Sequence, residues 1–141
     1  MAGYKVSYNV DGNDFTVAGE ASRNLKKILG QLGISPQIIR KAAIAMYEGE
    51  INMVIHADGG VIDVEITQDK IHIFLRDRGP GIKNINLAMT EGYSTATDHV
   101  RELGFGAGMG LPNMKKYTDY INIDTTIGVG TTVEMIVNIT N

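Results

Sequence analysis

The chain contains no cysteine, which removes disulfides, thiol nucleophiles and cysteine-held metals from consideration. It also lacks an excess of basic charge: 13 Lys and Arg stand against 16 Asp and Glu, for a formal net charge of -3. A nucleic-acid binder that relies on a broad basic face is thereby disfavoured, and no nucleic-acid partner is expected. No apolar run approaches the roughly 20 residues of a membrane-spanning helix. Residues 1–17 are polar and alternating, unlike a signal-peptide core. No repeat, linker or low-complexity segment divides the chain. The expectation is one cytoplasmic domain over 1–141 that does not engage a membrane.

Glycine, by contrast, is concentrated. Gly104, Gly106, Gly108 and Gly110 alternate with Phe105, Ala107 and Met109 and run through Leu111 and Pro112 into a helical segment at Asn113. Glycine costs roughly 1 kcal/mol against alanine inside a helix and gives a strand nothing to pack. Such a loop suits close approach of bare backbone, and phosphate is what most often needs that approach, because amide groups ahead of a helix make an anion site without Lys or Arg. Taken alone, the loop equally fits a bare hinge.

The remaining chain reads as alternating strands and helices. Tyr4, Val6, Tyr8 and Val10 share one face of a half-buried strand, and Ala21, Leu25, Ile28, Leu29 and Leu32 form a one-sided helical stripe ended by Gly33. Ser35 and Pro36 are good starting residues for a second helix over 36–57. That helix is apolar on most sides yet carries Glu48 and Asn52, four residues apart and about 40° around the axis from each other. The pair fits either a solvated edge or a proton-accepting carboxylate beside a neutral oxygen ligand for a hard cation such as magnesium. Glu50, about 200° away from Glu48, is expected at the solvated surface, and His56 is expected to be favoured by the helix dipole rather than to be a ligand. Strands follow over 61–67 and 71–77, the second ending in Asp77, Gly79, Pro80 and Gly81. An Asp at a strand mouth ahead of two glycines can hold a flat polar ligand against backbone, or simply form a turn. The polar, weakly periodic stretch 83–103 is expected to be a lid or a disordered segment, with Arg101 near the glycine loop, placed to reach a phosphate, to pair with Glu102 or to be solvated. A helix over 108–120 and strands over 121–126 and 131–139 complete the chain, the last two joined through Gly128, Gly130 and Thr131.

Four separated features therefore stand in order: Glu48 and Asn52 on a helix, Asp77 with Gly79 and Gly81 after a strand, the Gly106, Gly108, Gly110, Leu111 run, and Gly128, Gly130, Thr131. In this order they resemble the GHKL ATPase superfamily, which includes gyrase, histidine kinases and mismatch-repair ATPases. Within it the chain is similar to the small bacterial serine/threonine kinases of partner-switching modules, the anti-sigma factors and stress-switch kinases. The likeness extends to Thr90–Thr95 and to the run ending at Pro112.

The resemblance implies an α/β (α+β) fold, a two-layer Bergerat-type sandwich with helices packed on one face of a mixed sheet. It implies ATP and magnesium as cofactors and transfer of the γ-phosphate to a regulatory protein, a STAS-like anti-anti-sigma domain or a sigma factor. A homodimer is compatible with it. Asp77 would accept from the adenine amino group, with Gly79, Gly81 and Thr131 around the base. Asn52 would be the metal ligand and Glu48 the general base. Gly104, Gly106, Gly108, Met109, Gly110 and Leu111 would surround the phosphates, and Arg101 would neutralise the transferred group.

Gly49 departs from the aliphatic residue usual after this Glu and is expected to loosen the helix there. The absence of an upstream phosphoacceptor-histidine helix disfavours a histidine-kinase-like domain acting in trans. A nucleotide-gated switch protein with little kinase activity is the second expectation.

Overall fold

The computed structural model describes residues 3–12, 18–56, 59–79, 81, 89 and 110–139. Within them the chain forms β1 (Tyr4–Asp11), α1 (Glu20–Gln31), α2 (Pro36–His56), β2 (Gly59–Ile66), β3 (Lys70–Asp77), α3 (Gly110–Lys116), β4 (Tyr120–Thr126) and β5 (Gly130–Asn138). The sheet order is β1-β2-β3-β5-β4. Alternation along each strand divides the layers. Val6, Tyr8 and Val10 of β1 fall in line with Ile62 and Val64 of β2, Ile73 and Leu75 of β3, Val133 and Met135 of β5, and Ile121 and Ile123 of β4. This apolar face meets the helices. The opposite face is polar and pairs its charges across strands: Lys5 with Glu65 at 3.5 Å, His72 with Glu134 at 2.6 Å, and Arg76 with Asp63. One covered and one solvated face is the ordinary condition of an antiparallel sheet.

Among the described residues every ladder is antiparallel, where a mixed sheet is expected. A helical crossover normally leads into a parallel neighbour. Here β3 and β4 do point the same way, but β5 lies between them and pairs antiparallel with each. The two-layer α+β architecture is otherwise the one expected.

In α1, Ala21, Leu25 and Leu29 are buried as the helical stripe requires, while Leu32 lies beyond the helix and is exposed. Its partner α2 is apolar on most sides because it is covered on most sides: it touches α1, α3 and strands β1, β2, β3 and β5. Ala42, Ala45, Met46, Met53 and Val54 all sit in the core.

That covering corrects the expectation for Glu50, which is only 2% exposed rather than at the solvated surface. The face of α2 turned away from Glu48 meets α1, not water. Glu50 Oε2 accepts the amides of Gly19 and Ala21 at 3.0 and 3.1 Å, and Oε1 accepts that of Ser22 at 3.1 Å. Gly19 has no side chain with which to cap α1, so a carboxylate from the next helix satisfies the free amides instead.

The last helix ends earlier than the expected 120. Thr118 Oγ1 donates to the Met114 carbonyl at 2.7 Å, and the Asp119 amide already donates to Ile136 of β5 at 2.9 Å. A hydroxyl that bonds back to the preceding turn competes with the helical ladder, and the sheet claims the chain from there.

Candidate active site

The first half of the site lies where β3 ends and β5 begins. Asp77 Oδ1 accepts the amides of Gly79 at 3.0 Å and of Thr131 at 2.9 Å. The first bond is the local turn an Asp makes with the amide two residues on; the second ties two neighbouring strands together. Both donors use one oxygen, so among the described residues Oδ2 stays available to a ligand. Glycine permits the approach at Gly130, where a Cβ would stand 2.3 Å from the Asp77 carbonyl oxygen. Gly81, with φ of 83°, lies against the β4–β5 hairpin, and a Cβ there would meet the Thr126 carbonyl oxygen at 2.8 Å. Thr131 is buried, and its hydroxyl is 2.9 Å from that of Thr125. Asp77, Gly79 and Gly81 are thus joined at one end of the sheet by Thr131, which is distant from them in sequence.

The second half is the half-buried flank of α2 above that end of the sheet. Glu48 and Asn52 are one turn apart and both half-buried. Met53, next to Asn52, packs where the backbones of Gly60 and Asp77 meet, since a Cβ on Gly60 would stand 2.7 Å from Met53 Cε and 2.8 Å from Asp77 Cα. The turn carrying Asn52 therefore lies over the Asp77 end of the sheet.

Gly49 does not loosen this helix. It is buried within α2, and a Cβ there would stand 2.4 Å from Leu75 Cδ2 and 3.3 Å from Met114 Sδ. Its lack of a side chain lets α2 press onto β3 and α3 at the turn that presents Glu48.

That closeness brings in a residue that the sequence motifs miss. Asn113 of α3 donates its Nδ2 to Glu48 Oε1 at 3.3 Å. Burial pushes the Glu48 carboxyl above the usual glutamate range, and the Asn113 hydrogen bond pulls it partly back. The one signal in the sequence is position: Asn113 lies between Leu111 and Met114, both buried, and so on the border of the inward face of α3.

Arg101, Gly104, Gly106, Gly108 and Met109, with nearly all of the expected lid, fall outside the described residues. Gly110 opens α3, and Leu111 is buried against the core. A cleft of about 490 Å³ between β1 and α1, lined by Tyr8, Asn24 and Glu50 among others, shares neither Glu48 nor Asp77 with this site.

Among the described residues no cluster of three or more His, Asp or Glu side chains could hold a metal alone. A magnesium ion carried in by nucleotide phosphates needs only one or two protein oxygens, and the half-buried amide of Asn52 fits that requirement.

Comparison with known proteins gives the constellation its family. Residues 33–141 match the family described as histidine kinase-, DNA gyrase B-, and HSP90-like ATPase. The chain is 31% identical over 127 residues to the serine/threonine-protein kinase RsbT of Bacillus subtilis, covering 87% of each chain. It is 33% identical over 111 residues to the anti-sigma F factor of Clostridium beijerinckii, covering 74% of each. The corresponding factor of Anoxybacillus flavithermus is 31% identical over 104 residues, which cover 74% of this chain and 64% of that one. In fold, the chain is similar to a solved Mycobacterium tuberculosis structure containing RsbU and RsbW domains, with a TM-score of 0.62 at 17% identity, over 95% of this chain and 32% of that one. With the family matched over most of its length and its sheet corner and helix flank arranged as described, the chain belongs to the histidine kinase-, DNA gyrase B- and HSP90-like ATPases.

Proposed function

We propose that the chain acts as one unit over 1–141, an ATP-dependent serine/threonine protein kinase that transfers the γ-phosphoryl group to a hydroxyl of a small regulatory partner. The observation that carries this reading is Glu48: a half-buried carboxylate, held by an amide rather than a cation, one helical turn from Asn52 and on the helix that covers the Asp77 corner. The kinship to a chain named as a serine/threonine kinase supports it.

Asp77 Oδ2 accepts from the adenine amino group while Oδ1 remains clasped by Gly79 and Thr131. Gly79 and Gly81 let backbone lie close to the base. Asn52 would hold a magnesium ion, which would supply neutralisation of phosphate charge. Residues 104–111 and Arg101 serve the phosphates. In the transfer, the acceptor oxygen bonds to the γ-phosphorus, the bond to the β-phosphate oxygen breaks, ADP leaves, and the hydroxyl proton passes to Glu48. A carboxyl raised by burial suits that task, because a base gains strength as its pKa approaches the working pH.

The partner is a STAS-like domain or a sigma factor, and the setting is the cytoplasm; among the described residues no helix is long and apolar enough to cross a membrane. The similarity to proteins named anti-sigma F factor favours a second reading, sequestration of a partner gated by nucleotide with little transfer. Incubation with labelled Mg-ATP and a purified STAS-domain protein separates the two. Label on a serine or threonine of that protein supports the kinase; ATP-dependent co-elution without label supports the switch.

A further inference from the structure

We propose that Asn113 is the positioning residue of Glu48, holding Oε1 through its Nδ2 so that Oε2 is left to face the acceptor hydroxyl. The proposal rests on the reading of Glu48 as general base.

The surroundings of Glu48 leave this task to Asn113. None of the side-chain pairs Lys5–Glu65, Lys41–Asp119, His72–Glu134 and Arg76–Asp63 includes Glu48. From β3 the neighbour at this turn is Leu75, and from α3 it is Met114, both apolar. The charged residues of α3, Lys115 and Lys116, are exposed, with Lys116 over the ring of Tyr117 at 5.4 Å. From α1, the side chain near this stretch of α2 is Arg23, which lies beside Gly19 together with Tyr47, while Glu50 is engaged by the amides of α1. The Asn113 amide is thus the one polar side chain seen against the carboxylate among the described residues.

A neutral amide suits a base better than either alternative. A Lys or Arg in contact would hold the carboxyl so strongly ionised that it would be a poor proton acceptor, while no donor at all would leave the effect of burial unopposed and shift the acid further towards its protonated form. An amide donor offsets part of the burial effect and leaves the group basic. It also sets direction, because a carboxylate accepts only, so the amide must turn Nδ2 towards it. Asn113 itself is well anchored: Leu111 and Met114 on either side of it are buried, and Met114 packs against Gly49.

The test follows the Glu48 carboxyl directly, by carbon-13 NMR titration of protein labelled at the glutamate carboxyl, with the signal assigned through Glu48→Gln. Asn113→Leu keeps the branched shape and removes the donor; Asn113→Asp replaces the donor with a second carboxylate. The Glu48 midpoint is expected to rise by about half to one pH unit in the first variant and further in the second. The acidic limb of kcat/KM for transfer to a STAS-domain protein should move with it. A midpoint unmoved in both variants, with native urea-unfolding curves, overturns the proposal. The titration needs no phosphoacceptor, so full transfer by Glu48→Gln would remove the general-base reading through a separate measurement.

Discussion

Glu50 of α2 caps α1 through Gly19: the carboxylate accepts the Gly19 amide at 3.0 Å, in a site only 2% exposed, and takes the amides of Ala21 and Ser22 with its remaining capacity. Two residues earlier in the same helix, Glu48 points the other way, to Asn113. One helix therefore carries a carboxylate that caps its neighbour and another that is proposed to act in the chemistry, and substitution should separate the two.

Glu50→Gln keeps the volume but turns one acceptor into a donor facing backbone amides. Loss of stability of about 1–3 kcal/mol is expected, the usual cost of buried donors left without a partner. Urea unfolding should show a lower midpoint at unchanged slope. An unmoved midpoint would mean that water replaces the lost acceptor without cost.

Asp77→Asn should keep the clasp, since the amide oxygen can still accept from Gly79 and Thr131. The amide nitrogen then replaces Oδ2 and meets the adenine amino group donor to donor. ATP affinity should fall by roughly 10- to 100-fold, or about 1.4–2.8 kcal/mol, with unfolding behaviour little changed. Calorimetry that returns wild-type affinity would remove Asp77 from the adenine site.

Glu48→Gln and Asn52→Ala should differ in kind. The first removes the proton acceptor, so transfer should drop by roughly 10²- to 10⁴-fold with nucleotide affinity retained. The second removes the proposed metal ligand and should weaken Mg-ATP binding as well as transfer. Equal losses of both activities in both variants would indicate a disturbed α2 and not two chemical roles.

The same Glu48→Gln variant should be more stable than wild type at neutral pH. Burial raises the Glu48 carboxyl in the folded state, so the folded protein binds more protons than the unfolded one between the ordinary glutamate value and the raised one. Stability therefore falls as pH rises through that window, and glutamine removes the loss. The advantage should shrink as pH is lowered below the ordinary glutamate range. A constant difference at pH 4 and pH 7.5 would show that titration of Glu48 is not its source.

The elements whose neighbours are local are legible in the amino-acid sequence. Alternation places β1, β2 and β3, and the apolar stripe and starting Ser-Pro place α1 and α2. Asp77 can be singled out because the Gly79 turn is written in adjacent residues. What escapes such reading depends on contacts across the chain. A helical wheel puts Glu50 opposite Glu48 but does not say that α1 packs there. Asn113 and Glu48 are 65 positions apart, and no periodicity joins them. The mixed sheet is expected from the family resemblance, whereas the position of β5 between β3 and β4 is settled by which edges remain open when it arrives.

That strand order bears on how the molecule is made. Emerging from the ribosome, β4 precedes β5, yet it cannot join the sheet until β5 fills the gap beside β3. Such late insertion of an inner strand relies on contacts distant in sequence, which slow folding. The tie between Asp77 and Thr131 belongs to the same step, so a nascent chain halted before residue 130 would hold α2 and Asp77 without the strand that completes the proposed adenine site. In such a chain the ability to recognise nucleotide would appear only as the final strand is threaded into place.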